Sequence, residues 1–105
     1  MLGSAAVMVL DETVSIPQLM LWMTRFYAHE SCGQCTPCRE GTAWLLRLAT
    51  RIIEGKGRRQ DLDDLYRLAD NIDGKTICAL GAAVAWPTKS YVSKFRHEFE
   101  ALIRQ

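Results

Sequence analysis

The chain has 105 residues, of which 49% are hydrophobic and 24% charged, a composition typical of one ordinary soluble domain with its own core. This length leaves too little room for a separate nucleotide-binding domain. A net charge of +1 gives no overall field that would attract nucleic acid or an acidic membrane surface.

A short apolar segment lies near the start of the chain. Residues Ala5–Leu10 are too few to cross a bilayer, and Met1–Ser4 lack the basic residues that begin a secretory signal. The composition of Ala5–Leu10 predicts a short buried strand, closed by Asp11 and Glu12. Because a strand needs a neighbour for its backbone hydrogen bonds, we expect residues 1–14 to be the terminal strand of a preceding sheet domain.

Residues 15–105 carry the signals of helices joined by short connections. Ser15, followed by a proline and a glutamine, predicts the start of a helix that runs to about His29. The pair Thr36–Pro37 predicts a second helix, which ends where Gly55 can adopt a left-handed conformation. The apolar positions of this second helix are Trp44, Leu45, Leu48, Ile52 and Ile53.

Two further helices are predicted in the second half of the chain. After a loop over Gly55–Gln60, Asp61 can cap a third helix that ends at Asp73–Gly74, and a fourth is expected after Pro87. The apolar positions with helical spacing are Leu62, Leu65, Ala69 and Ile72 in the third helix and Tyr91, Val92, Phe95, Phe99, Leu102 and Ile103 in the fourth. The sequence therefore predicts an all-α fold, a small four-helix bundle preceded by one strand.

The four cysteines are the strongest chemical signal in the sequence. Cys32, Cys35 and Cys38 follow the spacing C-x2-C-x2-C within HESCGQCTPCREG, which lets three thiolates surround one compact iron–sulfur cube from a single loop. Cys78, between the third and fourth helices, is the remaining candidate ligand. The lack of a secretory signal favours a reducing compartment, where structural disulfides are disfavoured. The pattern predicts one [4Fe-4S] cluster.

A zinc site is the main alternative, because four thiolates also suit tetrahedral Zn²⁺. Structural zinc sites usually draw their cysteines from two separate pairs, so a triplet plus one favours a cluster. Disulfide or free-thiol chemistry is the third reading of the same residues.

Residues near the triplet are candidates to support it. Gly33 permits a tight loop, and Cys38 falls in the first turn of a helix, where free N–H groups favour negative sulfur. His29 and Arg39 are close enough in sequence to donate to the sulfurs, although His29 also suits a helix end and Arg39 an ion pair with Glu40. Three tryptophans are interpreted as core residues rather than as an electron path: Trp22, Trp44 and Trp86.

The two cysteine segments, taken with their surroundings, resemble a known family. HESCGQCTPCREG, the helix with Trp44, DGKTICALG and the AWP segment at Ala85–Pro87 are similar to the C-terminal domain of the NADH-binding flavoprotein subunit of respiratory complex I. Related subunits of NAD-reducing or bifurcating hydrogenases and of NAD-dependent formate dehydrogenases are similar in this region. The resemblance covers nearly the whole chain, from the strand of Ala5–Leu10 to the last helix.

The resemblance implies a specific domain arrangement and cofactor set. Residues 1–14 would be the last strand of a ubiquitin-like sheet domain, and residues 15–105 would form the helical [4Fe-4S]-binding domain. One cluster beside a flavin would be held by Cys32, Cys35, Cys38 and Cys78. FMN and NAD would bind the parent subunit outside this chain, so NADH oxidation is not expected of this piece alone.

The resemblance also implies a role as a one-electron relay. NADH-reduced FMN would supply single electrons to the cluster, and the neighbouring multi-cluster iron–sulfur subunit of NADH:quinone oxidoreductase would receive them. The expected partners are that subunit and the NADH- and FMN-binding part of the same subunit, with no nucleic acid and no direct membrane insertion. The expected location is the peripheral arm of a respiratory complex, on the cytoplasmic side of the membrane. The same domain in a hydrogenase or formate dehydrogenase, or a zinc-stabilised interaction domain, remain alternatives.

Overall fold

Five helices make up the fold in the computed structural model, which describes residues 7–103. They are α1 (Ile16–Glu30), α2 (Thr36–Ile53), α3 (Arg59–Ile72), α4 (Leu80–Lys94) and α5 (Arg96–Ile103). α1 packs mainly on α2 and α3 on α4, while α2 and α3 join the two pairs. The described residues are all-α, as predicted, and contain no strand. None of their helices combines the length and apolar character that a membrane span requires.

The core is built from the inward faces of all five helices. The apolar stripe predicted for α3 is buried throughout, at Leu62, Leu65, Ala69 and Ile72. Burying a leucine or isoleucine side chain stabilises the fold by about 1.5–3 kcal/mol, so these positions contribute strongly to stability. The buried hydroxyls donate to backbone carbonyls one turn earlier, at Thr24, Thr42 and Thr88. Within residues 7–103, no buried side-chain nitrogen or oxygen lacks a hydrogen-bond partner.

The strand predicted over Ala5–Leu10 is not formed by those of its residues that the structure describes, and its place in a preceding sheet domain stays a prediction. Ala5 and Ala6 lie outside the described residues, and residues 7–10 are irregular and exposed. A strand requires a neighbouring backbone, and residues 7–103 offer no strand to pair with it. The first helix begins as predicted, because the Ser15 side chain accepts a hydrogen bond from the backbone N–H of Gln18 at 3.4 Å.

Helix α3 begins earlier than predicted, and Asp61 is not its N-cap. The predicted loop Gly55–Gln60 is shorter because the helix begins at Arg59. Asp61 lies in the first turn, where its carboxylate accepts from the backbone N–H of Arg58 at 3.0 Å. The same carboxylate accepts from Arg51 on α2 at 2.8 and 3.1 Å, and its side chain is fully buried. Instead of being the N-cap, the buried Asp61 therefore forms an ion pair with the partly exposed Arg51 that joins α3 to α2.

The helix predicted after Pro87 has different limits in the structure. α4 begins at Leu80 and continues through Pro87, and Phe95 then leaves the helical conformation with φ −120° and ψ 31°. An interior proline lacks an N–H donor and costs a helix about 3 kcal/mol. Val84 and Val92, on either side of the proline, are both fully buried, and this packing favours a continuous helix. Residues 7–103 therefore contain five helices rather than the predicted four.

The three tryptophans are not core residues, which corrects the prediction. Trp22, Trp44 and Trp86 are 57%, 51% and 42% exposed. On α2 the buried stripe is centred on Leu45 and Ile52, which turns the preceding Trp44 toward the surface. Size and hydrophobicity alone therefore did not determine which side of the helix is buried.

Candidate metal centre

The three clustered cysteines lie in the connection between α1 and α2 and in the first turn of α2. Cys32 is exposed and precedes Gly33, whose φ of +84° lies in the left-handed region that favours glycine. Cys35 is the N-cap of α2, and Thr36 is the first helical residue. Cys38 lies in the first turn, as predicted, and it is buried. The free N–H groups and positive dipole end of α2 stabilise negative charge on these sulfurs.

The fourth cysteine also lies at a helix N-terminus. Cys78 immediately precedes Ala79, the N-cap of α4, and its carbonyl oxygen accepts from the Thr76 hydroxyl at 2.8 Å. The backbone N–H of Ile77 donates to the Sγ of Cys35 at 3.3 Å. This bond joins two segments that are far apart in the sequence. The structure therefore brings the turn that carries Cys78 against the loop that carries the other three cysteines.

A surface network holds the start of this turn between α3 and α4. Asp73, at the end of α3, accepts from the Trp86 indole N–H at 2.9 Å and from Lys89 at 3.2 Å. Lys89 also pairs with Asp70 at 3.1 Å. The hydrogen bond from Trp86 is the main reason that the pKa of Asp73 lies below its usual value. Desolvation raises this pKa, and the hydrogen bond and charge of Lys89 lower it further. Trp86 thus helps to position the turn.

A hydroxyl group lies beside the buried cysteine. The Oγ of Ser31 and the Sγ of Cys38 are 3.2 Å apart, and the backbone N–H of Gly33 donates to the same Oγ at 3.3 Å. Ser31 ends α1, so the helix positions the residue that precedes the first cysteine. Two of the four sulfurs therefore lie within hydrogen-bond distance of a possible donor. The Sγ of Cys38 lies near the Ser31 hydroxyl, and the Sγ of Cys35 accepts from the Ile77 amide.

Arg39 and His29 contact groups other than the cysteine sulfurs. Their contacts favour an ion-pairing role for Arg39 and a helix-end role for His29. Arg39 donates to the carbonyl oxygen of Gly33 at 2.7 Å and pairs with Glu40 at 3.1 Å, so it braces the cysteine loop. His29 is exposed at the end of α1, and its Nδ1 lies 2.9 Å from a carboxylate oxygen of Glu30. The charge of Arg39 is therefore partly balanced by its neighbour.

Three residues at the site are absent from the candidates derived from the sequence: Ser31, Thr76 and Ile77. Their proximity to Cys32 and Cys78 in the chain is the only sequence signal that could have indicated them. The direction of a hydroxyl or a backbone amide depends on how the surrounding loop folds, which residue spacing does not report.

The chemistry of the four thiols fits an iron–sulfur cluster. All four cysteines are free, and soft thiolates select iron–sulfur clusters or zinc. Between residues 7 and 103, no three His, Cys, Asp or Glu side chains lie close enough to hold a single metal ion. One zinc ion would need its four sulfurs about 3.8 Å apart, whereas a cluster binds each thiolate at a different iron. Two observations support a cluster at this site: all four cysteines are free, and the turn that carries Cys78 contacts the loop that carries Cys35.

Gly81, in the first turn of α4, leaves space for the Thr76 side chain. A Cβ atom added at Gly81 would lie 2.9 Å from the Cβ of Thr76, closer than such atoms pack in proteins. We expect Gly81→Ala to displace Thr76 and loosen the turn of Cys78, lowering the iron content of anaerobically purified chain about twofold or more. Iron analysis and visible absorbance measure this. Ala82→Ser, one residue further along the helix, is the control, and equal iron content in both variants would contradict the expectation.

The chain matches known proteins over most of its length. Residues 18–102 match the family described as the NADH-ubiquinone oxidoreductase-F iron-sulfur binding region, a range that includes all four cysteines. An NADH-quinone oxidoreductase F subunit of Rhizobium meliloti (strain 1021) is 45% identical over 97% of this chain and 24% of that protein. The mitochondrial NADH-ubiquinone oxidoreductase 51 kDa subunit of Aspergillus niger is 46% identical over 99% of this chain and 21% of that protein. The chain spans about a quarter of the length of such relatives.

A solved structure shares the fold as well. An NAD⁺-reducing [NiFe]-hydrogenase in the H₂-reduced state contains a region that is 32% identical, with a TM-score of 0.86, covering 92% of this chain and 17% of that chain. These relatives are named as oxidoreductases or their subunits. From the family match and the identity across nearly the whole chain, this chain belongs to the family of the NADH-ubiquinone oxidoreductase-F iron-sulfur binding region.

Proposed function

We propose that the chain holds one [4Fe-4S] cluster on Cys32, Cys35, Cys38 and Cys78 and serves as a one-electron relay in an NADH-oxidising assembly. The observation that carries the proposal is the 3.3 Å hydrogen bond from the Ile77 amide to the Sγ of Cys35. Because this bond holds the turn against the loop, one cluster can draw ligands from both. When bound, the cluster supplies reversible one-electron chemistry.

The residues of this chain would position the cluster and set its potential rather than react with an organic substrate. Two helix N-termini, at Cys35 and Ala79, place positive dipole ends beside the cysteines. The Ile77 amide and the Ser31 hydroxyl lie within hydrogen-bond distance of two sulfurs. Groups of this kind stabilise negative charge on the ligands and so raise the reduction potential.

The route of the electrons is a finer part of the proposal. NADH-reduced FMN, in the NADH- and FMN-binding part of the same subunit, would be the donor, and the multi-cluster iron–sulfur subunit of NADH:quinone oxidoreductase would be the acceptor. The names of the relatives at 45% and 46% identity support NADH as the electron source and a quinone as the final acceptor of this route. The proposal places the domain in a peripheral arm on the cytoplasmic side of the membrane, with no membrane insertion and no nucleic-acid partner.

The domain division is also proposed rather than observed. Residues 15–105 would form the helical cluster-binding domain, and residues 1–14 would belong to a ubiquitin-like sheet domain. The side chains of Val7, Met8 and Val9 support this division, because all three are largely exposed although apolar. Apolar side chains in this state favour contact with another part of a larger polypeptide.

A second candidate is the same domain in an NAD⁺-reducing hydrogenase, which the structural similarity at TM-score 0.86 favours. The higher identity to NADH-quinone oxidoreductase subunits, 45% against 32%, makes the first candidate the better supported. The role of this chain is the same in both, and the identity of the subunits that co-purify with it distinguishes them.

Metal and sulfide analysis of the anaerobically purified chain tests the cluster. We expect about four iron atoms and about four acid-labile sulfides per chain, with visible absorbance that is bleached by dithionite. The reduced chain is expected to give the EPR signal of one unpaired electron. A colourless chain with stoichiometric zinc and no iron would contradict the cluster and support a zinc-stabilised interaction domain.

The electron source needs a separate test in the parent subunit with its flavin. NADH is expected to produce the same EPR signal that dithionite produces. A cluster that dithionite reduces, but that NADH leaves oxidised in a subunit containing FMN, would contradict the proposed donor while leaving the cluster assignment intact.

A further inference from the structure

Ser31 connects the cysteine loop to the most buried of the candidate ligands. Its Oγ lies 3.2 Å from the Sγ of Cys38 and accepts the backbone N–H of Gly33 at 3.3 Å. The serine backbone is fixed as the C-cap of α1, because its N–H donates to the carbonyl of Tyr27 at 3.0 Å. The position of the hydroxyl is therefore fixed by two contacts: the Ser31 backbone is bound to α1 through Tyr27, and the Ser31 oxygen is bound to the loop through Gly33.

The chemistry of the three groups determines the direction of these hydrogen bonds. A backbone amide can only donate, so the N–H of Gly33 occupies one lone pair of the Ser31 oxygen. A cysteine that ligates iron is a thiolate and has no hydrogen to give. With Cys38 as a ligand, the Ser31 hydroxyl is therefore the only group of the 3.2 Å Oγ–Sγ pair that can donate.

We infer that Ser31 is a positioning residue that raises the reduction potential of the cluster by donating its hydroxyl hydrogen to the sulfur of Cys38. This inference rests on the proposed function, in which Cys38 is a ligand. One-electron reduction adds negative charge that is shared with the ligand sulfurs, so a donor stabilises the reduced form more than the oxidised form.

The surroundings of Cys38 make this hydrogen bond more effective than one at an exposed ligand. Cys38 is only 8% exposed, so water competes poorly for its sulfur and electrostatic interactions are weakly screened. Cys32, by contrast, is exposed, and solvent can solvate its sulfur directly. Removing the hydroxyl at position 31 is therefore expected to change the reduction potential of the cluster through its effect on the sulfur of Cys38.

A pair of substitutions in the full chain tests the inference. Ser31→Ala removes the hydroxyl, while Ser31→Thr keeps it and suits the extended backbone there, with φ −61° and ψ 129°. Iron and sulfide are measured first in each protein, followed by a mediated redox titration monitored by EPR. We expect full cluster content in all three proteins, a more negative midpoint potential in Ser31→Ala, and a potential close to wild type in Ser31→Thr.

Pulsed EPR in H₂O and D₂O supplies a second measurement that a purely structural role would not change. We expect an exchangeable hydrogen coupled to the reduced cluster in wild type and Ser31→Thr, and a weaker coupling in Ser31→Ala. A wild-type potential in Ser31→Ala with its cluster intact would overturn the inference. Equal shifts of the midpoint potential in Ser31→Ala and Ser31→Thr would also overturn it. Loss of the cluster in Ser31→Ala would overturn it as well, because Ser31 would then be needed for assembly of the cluster. A wild-type chain without iron and sulfide would instead refute the proposed function, and the role of Ser31 with it.

Discussion

Replacing Cys78 with alanine is expected to reduce the iron content of the chain from about four atoms to less than about one. The variant keeps the three cysteines of the loop but loses the candidate ligand on the turn before α4. Three thiolates on one loop leave one iron of the cube without a protein ligand. Iron and sulfide analysis of anaerobically purified protein, with EPR after reduction by dithionite, measures the loss.

The neighbouring residue offers a matched control. Ala79 is exposed at the N-cap of α4, a position where serine is favoured, so Ala79→Ser is expected to keep the wild-type iron content. If Cys78→Ala retained four iron atoms, Cys78 would not be a ligand, and the contact between Ile77 and Cys35 would serve only the fold.

Loss of the cluster should also lower thermal stability, because a group that binds only the folded chain stabilises it. Cys78→Ala and wild-type chain stripped of iron by a chelator are then expected to unfold at similar temperatures, both below the iron-loaded chain. A large difference between the two iron-free proteins would show that Cys78 stabilises the fold by packing instead.

Asp61→Asn is expected to lower the free energy of unfolding by about 2–3 kcal/mol. Asp61 is fully buried and binds the guanidinium of Arg51 through two hydrogen bonds, and the guanidinium of Arg58 is a second positively charged partner at 3.3 Å. Asparagine removes the negative charge and leaves these guanidinium groups without their partner. The effect should fall below that of a fully buried pair, because the Arg51 and Arg58 side chains are 41% and 67% exposed.

The pH of this measurement follows from the pKa of Asp61. Burial disfavours the charged carboxylate, but the hydrogen bonds from Arg51 and from the backbone of Arg58 outweigh burial and hold the pKa below its ordinary value of 3.8. A depressed pKa stabilises the fold fully above 3.8, and this stabilisation is lost as the pH falls through the lower, folded-state value. Denaturant unfolding at about pH 7 therefore reports the whole contribution.

Asp63 on the same helix provides the control for this substitution. Its side chain is 60% exposed and lies 3.4 Å from Arg96 at the surface, so Asp63→Asn should change stability by less than about 0.5 kcal/mol. Equal effects of Asp61→Asn and Asp63→Asn would show that the ion pair between Asp61 and Arg51 stabilises the packing of α2 on α3 no more than a surface pair does.

Local sequence patterns were sufficient for much of the fold and for the candidate ligands. The spacing of Leu62, Leu65, Ala69 and Ile72 predicted the buried face of α3, because helical periodicity is a property of neighbouring residues. The start of α1 after Ser15 followed from capping chemistry over a few positions. The spacing of Cys32, Cys35 and Cys38 likewise predicted a metal-binding loop from neighbouring residues alone.

Local sequence patterns did not predict the features that depend on contacts between distant segments of the chain. The continuation of α4 through Pro87 and the exposure of Trp44 depend on which surfaces the other helices cover. The burial of Asp61 depends on Arg51, which belongs to a different helix. In each case packing between helices outweighed the local preference of the residue.

The sequence by itself determined the helical class of this protein, the buried face of α3 and the four cysteines that are candidates for one cluster. Only the tertiary structure decided that the Cys78 turn meets the cysteine loop, through the Ile77 amide and the Sγ of Cys35. Only the structure placed the Ser31 hydroxyl beside Cys38. The physical reason is that periodicity and capping act within one helical turn, whereas hydrogen bonds between a loop and a distant turn exist only after the helices have packed.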